Sequence, residues 1–190
     1  MSGFSENIPV DLIIPREIKS IWESQPQDQR NIIHLDTHFD LAMLSQCLPL
    51  GSNEMSGTFG FNWISWEEGL PESSPASQTS HFSWHYHPDN DPRFSYKDWR
   101  TFIYSASPVS ILVTKSQTNL YIKKNDFAWE NIKKWLQDEM GKPGKNKILS
   151  YMRFCKIFNS VINSYDIYTT SEIKICNMVG VSLHEVRVDE

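Results

Sequence analysis

His85-Tyr86-His87 is followed by seven residues, Pro88 to Phe94, and then by Ser95-Tyr96-Lys97-Asp98, so the chain carries the pattern H-x-H-x7-S-x-x-D. Two imidazoles and a carboxylate are donors that zinc accepts, and three protein ligands leave a fourth tetrahedral position open for water. Structural zinc sites usually close all four positions. The stretch therefore reads as a catalytic zinc site with His85, His87 and Asp98 as ligands and the Ser95 hydroxyl nearby.

These residues need elements that bring them together. Phe82, Trp84 and Tyr86 alternate with Ser83, His85 and His87, which is strand periodicity with the aromatics on one face and both histidines on the other. Two strand steps separate the histidine Cα atoms by roughly 6.5 Å, close enough for both rings to meet one ion. Pro88 ends the strand, Asp89 to Pro92 is turn chemistry, and the spacing of Trp99, Phe102 and Ile103 predicts a short amphipathic helix from about Ser95. Asp98 falls in its first turn, and a loop doubling back from the strand would set the carboxylate beside the imidazoles. Each piece also has a plainer reading. Ser95-x-x-Asp98 is a capping box with a shortened acid, which is compatible with metal binding, and a lone H-x-H on a strand is more often an ordinary histidine pair. It is the conjunction of all the pieces that points to a metal.

The pattern resembles that of the JAMM metalloisopeptidases, the zinc-dependent branch of the MPN-domain proteins. That family pairs the motif with an upstream glutamate, usually in E-x-x-G-x-x-x-G after an amphipathic helix. Here Ile32 to Leu35 is a candidate strand, Thr37 to Leu48 a helix with apolar Phe39, Leu41, Met43 and Leu44, and Glu54-Met55-Ser56-Gly57 the opening of the next strand. Thr58 to Trp66, with Phe59, Phe61 and Trp63 alternating, continues that strand. Ser110 to Thr114 and Asn119 to Ile122 are two further strands joined by a polar turn. The resemblance covers about Ile32 to Lys124. It departs at Tyr86, where the family usually has serine or threonine, and at Gly60, one residue early; neither removes a ligand. Glu67, Glu68 and Glu72 are alternatives to Glu54, which is preferred for the helix before it and the strand after it.

The resemblance implies an α+β fold, an MPN-type central mixed sheet flanked by helices in a sandwich-like arrangement. It implies one Zn²⁺ on His85, His87 and Asp98, an ion that would lower the pKa of its water from about 15.7 toward 7. Glu54 would be the general acid–base, and Ser95 would donate a hydrogen bond to the oxyanion, a contribution of roughly 3 kcal/mol. The implied reaction is hydrolysis of the bond after the C-terminus of ubiquitin or a ubiquitin-like protein, with E1-like and E2-like proteins of the same pathway as further partners. A second reading keeps the zinc hydrolase and changes the substrate to a sulfur-carrier precursor or small peptide adduct. A third is a non-catalytic MPN-type scaffold, against which the intact ligand set counts.

The whole chain agrees with a globular enzyme. Its 190 residues suit one domain, divided here into an extension over residues 1–30 and a metalloprotease-like domain over residues 31–190. Hydrophobic residues at 39% and aromatic residues at 13% argue against disorder, and a net charge of −5 argues against generic nucleic-acid binding. Cys47, Cys155 and Cys176 are too widely spaced for a C-x-x-C clip and odd in number; reduced, buried thiols are expected. No signal-peptide pattern opens the sequence and no apolar run approaches about 18 residues, which predicts a cytoplasmic protein without membrane contact. Arg16 to Ser24 reads as a helix after Pro15. Pro71 to Ser80 is rich in small polar residues and reads as a loop, either a clamp over a substrate tail or a passive connector. Ala128 to Leu136 and Ile148 to Ile162 carry two apolar helical stripes separated by Gly141-Lys142-Pro143-Gly144, and Ile173 to Val188 looks like terminal strand. His34 and His38 flank Asp36 at a strand-to-helix junction, where solvated or capping roles are expected; His81 and His184 have no partner pattern.

Overall fold

The computed structural model describes residues 9–27, 31–35, 40–41, 44–70, 81–124, 176–177 and 180–187. Its helices are α1 (Lys19–Trp22), α2 (Leu44–Cys47) and α3 (Tyr96–Tyr104). Its strands are β1 (Ile32–His34), β2 (Met55–Gly60), β3 (Trp63–Ser65), β4 (Glu67–Glu68), β5 (Phe82–Tyr86), β6 (Val109–Val113), β7 (Gln117–Lys123) and β8 (Val181–Arg187). They form one sheet in the order β1-β3-β2-β5-β6-β7-β8, with β4 also pairing to β2. The β5–β6 pair is parallel, and the other pairs with a defined register are antiparallel. The chain is thus α+β with a mixed, mostly antiparallel sheet, as expected.

Burial in β5 follows the sequence pattern. In β5 the aromatic Phe82, Trp84 and Tyr86 are buried while Ser83 and His85 between them are half-buried. In β6 all five residues are buried; four of them, Val109, Ile111, Leu112 and Val113, are apolar, as suits a strand paired on both edges, and the fifth is Ser110. The core beneath β2 and β5 is aromatic. Trp22 from α1 stacks on Phe82 at 5.6 Å between ring centroids and meets Phe59 edge-on at 5.8 Å, arrangements that suit the ring quadrupoles. Trp22 and Val10 belong to the main core cluster, with Ile13, Ile14, Ile18 and Ile21 packed against it, so the described residues 10–22 of the expected extension pack on the core.

Two compact units are distinguishable, Met1–Phe94 with Ser105–Ile122 and His184–Glu190 in one, and Ser95–Tyr104 with Lys123–Leu183 in the other. The first contains β1 to β6 and the core cluster. In the second, Trp99 and Phe102 on α3 are buried, Lys123 Nζ lies 4.5 Å from the Phe102 ring centroid, and the Lys124 N–H donates to the Gly180 carbonyl at 2.9 Å.

Four expectations need correction. The strand expected over Thr58 to Trp66 is a hairpin: β2 ends at Gly60, Phe61 and Asn62 turn, and β3 returns with Gly60 opposite Trp63. The turn is tied from outside, the Phe61 N–H donating to the Trp22 carbonyl at 2.9 Å and Trp63 Nε1 to the Ser24 carbonyl at 2.9 Å. Within the expected Thr37 to Leu48 helix, Leu44–Cys47 is α-helical and Leu41 is in a 3-10 turn among the described residues, while Asp40 bridges to Pro9. Cys47 is exposed and Cys176 buried; Leu44 and Leu48, one turn apart, take the core side and turn Cys47 to solvent. Cys176 and Asn177 are helical, so among the described residues the terminal strand covers Val181–Arg187 and not the start of the expected Ile173 to Val188 span. Phe39, Met43, Glu72, Cys155, the 71–80 loop and the two later helical stripes lie outside the described residues. Among the described residues no helix is long and apolar enough to cross a membrane.

Gly57 stands at a place in the sheet where a side chain has no room. A Cβ there would stand 2.0 Å from Ser65 O and 2.8 Å from Trp84 Nε1, the two atoms that hydrogen-bond each other at 2.7 Å. Gly57→Ala should therefore destabilise the protein by about 3 kcal/mol, the upper end of the usual cost of overpacking. Denaturant unfolding checks this, and an unchanged midpoint would show that the strand gives way without loss.

Candidate metal centre

The two histidines arise from one strand and the residue after it. His85 lies on β5, and His87 extends the ladder by one bond, its N–H donating to the Val113 carbonyl at 3.1 Å. The two-residue period brings both rings to one face: their centroids are 4.9 Å apart at 67°, and a ligand nitrogen of each lies within 4.8 Å of the other's. Two donors on one tetrahedral zinc at about 2.0–2.1 Å stand about 3.4 Å apart, so the rings need to close by at most about 1.4 Å, within reach of a small χ rotation. His87 is buried and His85 half-buried.

The ring of His87 is oriented by the loop that follows it. Its Nδ1 lies 3.0 Å from the Asp91 carbonyl oxygen. A carbonyl can only accept, so Nδ1 carries the proton and the lone pair is on Nε2, the tautomer that lets a histidine ligate through Nε2. The loop itself is fastened at several points. Asn90 adopts the left-handed region at φ 62, which asparagine tolerates, and its N–H donates to the His87 carbonyl at 3.2 Å. Its side-chain oxygen accepts from Ser116 N–H and Oγ at 3.3 and 3.1 Å. Asp91 accepts from the Arg93 backbone N–H at 3.1 Å and from Arg93 Nε at 3.2 Å. Burial alone would raise the Asp91 carboxyl, but the hydrogen bonds and charge of Arg93, with a smaller push from His87, hold it below the usual carboxylate range. Buried Asn119 on β7 donates to the Pro92 carbonyl. The loop ends at Phe94, whose ring returns to stack on His85 at 5.4 Å and 29°.

Ser95 and Asp98 belong to the second unit. They form the expected capping box at the start of α3: the Ser95 N–H donates to Asp98 Oδ2 at 2.8 Å, and the Asp98 N–H donates to Ser95 Oγ at 3.1 Å. Ser95 Oγ thus acts as an acceptor and keeps its own proton for donation. Ser95 is exposed and Asp98 half-buried.

Glu54 lies next to the histidines by register. Met55 pairs with Tyr86 and Ser56 with His85, so one more step sets Glu54 opposite His87, on the face that Ser56 shares with His85. Its backbone is held extended by Glu54 N–H to Leu70 O at 2.9 Å and Gly69 N–H to Glu54 O at 2.8 Å. The alternatives are less well placed. Glu67 pairs with Ser56 from β4, the same face but two strands, roughly 9–10 Å, from His85. Glu68 pairs with Met55, on the opposite face, and accepts from Asn53 Nδ2 at 2.9 Å. Tyr86, the departure between the histidines, points into the core and donates its hydroxyl to the Gly51 carbonyl at 3.1 Å, burial pushing the phenol up.

The remaining histidines have structural settings. His34 is exposed. His81 is buried, edge-on to Trp63 and 3.1 Å from Ser24 Oγ; that hydroxyl donates to the Ile21 carbonyl at 2.6 Å, so the His81 Nδ1–H must be the donor to Ser24. His184 lies on β8, where burial pushes its imidazole down. Turn chemistry was legible in Asp89 to Pro92, but the roles of Asp91 and Phe94 were not, because each acts through a contact that the sequence does not announce.

The Asp91 contact makes a direct prediction. In the metal-free protein, long-range ¹H–¹⁵N correlation should show His87 as the Nδ1–H tautomer; an Nε2–H tautomer would contradict the bond. No family model, no curated protein and no solved structure matches this chain.

Proposed function

We propose that His85, His87 and Asp98 hold one Zn²⁺ and that the chain is a JAMM-type zinc isopeptidase or peptidase, hydrolysing the bond after the C-terminus of a ubiquitin-like modifier. The observation that carries the metal reading is the His87 Nδ1–H donation to the Asp91 carbonyl, which commits Nε2 as a lone-pair donor beside the neighbouring imidazole of His85. Support for Asp98 as third ligand comes from the path of the chain. The loop from His87 ends with Phe94 stacked on His85, Ser95 is the next residue, and Asp98 follows in the first turn of α3. The cap engages its Oδ2, and a carboxylate has a second oxygen with its own lone pairs. Two nitrogens and one oxygen make a donor set that zinc accepts, with one position left for water.

When bound, zinc supplies Lewis acidity to a water and to the scissile carbonyl. The chain supplies the rest. A Glu54 carboxylate oxygen, on the histidine face, takes the proton from the attacking water and delivers it to the leaving amine. Ser95 Oγ, its lone pair engaged by the Asp98 N–H, donates a hydrogen bond to the oxyanion of the tetrahedral intermediate. No covalent acyl-enzyme is needed. The modifier as substrate follows from the resemblance of the H-x-H-x7-S-x-x-D motif.

The test is a panel of ubiquitin-like fusions, with zinc content and turnover measured together. Wild type should hold about one zinc per chain and cleave at least one fusion. Glu54→Gln should keep its zinc and lose on the order of 10²–10⁴ in rate, whereas Glu67→Gln and Glu68→Gln should stay near wild type. His85→Ala/His87→Ala should lose both metal and activity, and stoichiometric zinc in that double variant would remove the proposed centre.

A further inference from the structure

A zinc-ligating imidazole must present one nitrogen edge in one direction, yet its terminal torsion is broad and two-fold. His87 is fixed by the Asp91 carbonyl. For His85 the flat contact is Phe94, 5.4 Å away at 29°. Phe94 is itself buried and lies on Tyr121 at 3.7 Å and 13°, and Tyr121 is a fully buried residue of β7. The three rings form a column that begins in the sheet and ends on the candidate ligand.

We infer that Phe94 is a positioning residue for the metal centre, a wall that holds the His85 imidazole in its metal-facing orientation while Tyr121 holds the wall. The inference rests on the zinc reading above. A ring on one face blocks the swing of the imidazole about its torsion, and Phe94 cannot follow that swing because Tyr121 lies behind it.

The experiment measures zinc affinity by chelator competition, the visible spectrum of the Co²⁺-loaded protein and thermal unfolding, for wild type, Phe94→Leu, Phe94→Met and Phe94→Tyr. Loss of partners that orient ligands typically weakens metal binding 10–100-fold. Phe94→Leu and Phe94→Met should fall in that range and alter the Co²⁺ bands, while Phe94→Tyr, which keeps the flat ring, should match wild type. Leu and Met variants that fold and bind zinc as tightly as wild type would overturn the role of Phe94 and leave the centre standing. Absence of zinc binding by wild type would instead overturn the metal reading, and this inference with it. Should both aliphatic variants fail to fold, the metal-free wild type decides: the His85 ring proton facing Phe94 should be shifted upfield by the ring current, and an unshifted resonance would overturn the inference.

Discussion

The pairing of β5 with β2 is the constraint on which the rest depends. Side chains alternate along a strand, so once Phe82, Trp84 and Tyr86 are committed to the core, His85 and its neighbour His87 have only the other face. The same register sets Ser56 against His85 and brings Glu54 into line with His87. A slip by one residue would send two imidazoles into the aromatic core and three aromatics out of it. Gly57 keeps that register tight, because only a residue without Cβ lets Ser65 O and Trp84 Nε1 meet across it.

The loop from Pro88 to Phe94 converts this strand geometry into ligand geometry. Its backbone supplies an acceptor for His87 at Asp91 and its last side chain supplies a wall for His85. The fastenings are short polar contacts made by Asn90, Asp91, Arg93 and Asn119, each modest alone, and together they leave the seven-residue span few alternative paths. A metal bound at such a strand end and pinned loop would find its ligands partly organised beforehand, which would lower the cost of ordering them on binding.

Local signals carried far in this sequence, and contacts between distant segments did not. The β5 alternation, the mainly apolar β6 and the Ser95–Asp98 cap were legible because each is decided within a few residues. The Thr58 to Trp66 segment was misread because Phe59, Phe61 and Trp63 keep a strand period straight through a turn; what bends it is the hold of Trp22 and Ser24 on Phe61 and Trp63, some forty residues distant in sequence. Cys47 reads as a buried thiol by residue type, but the Leu44–Leu48 stripe sets its helix face. The donor types of the candidate site were visible in H-x-H-x7-S-x-x-D, whereas the Phe94 column required Tyr121, which is distant in sequence and made a neighbour by the sheet.

The central claim is that one zinc ion sits on His85, His87 and Asp98, and X-ray absorption at the zinc edge of the purified protein tests it most directly. The account predicts a shell of nitrogen and oxygen at about 2.0–2.1 Å with no sulfur, and outer-shell scattering from two imidazoles. A shell containing sulfur at about 2.3 Å, which would assign the metal to cysteines, or a protein that takes up no zinc, would contradict it.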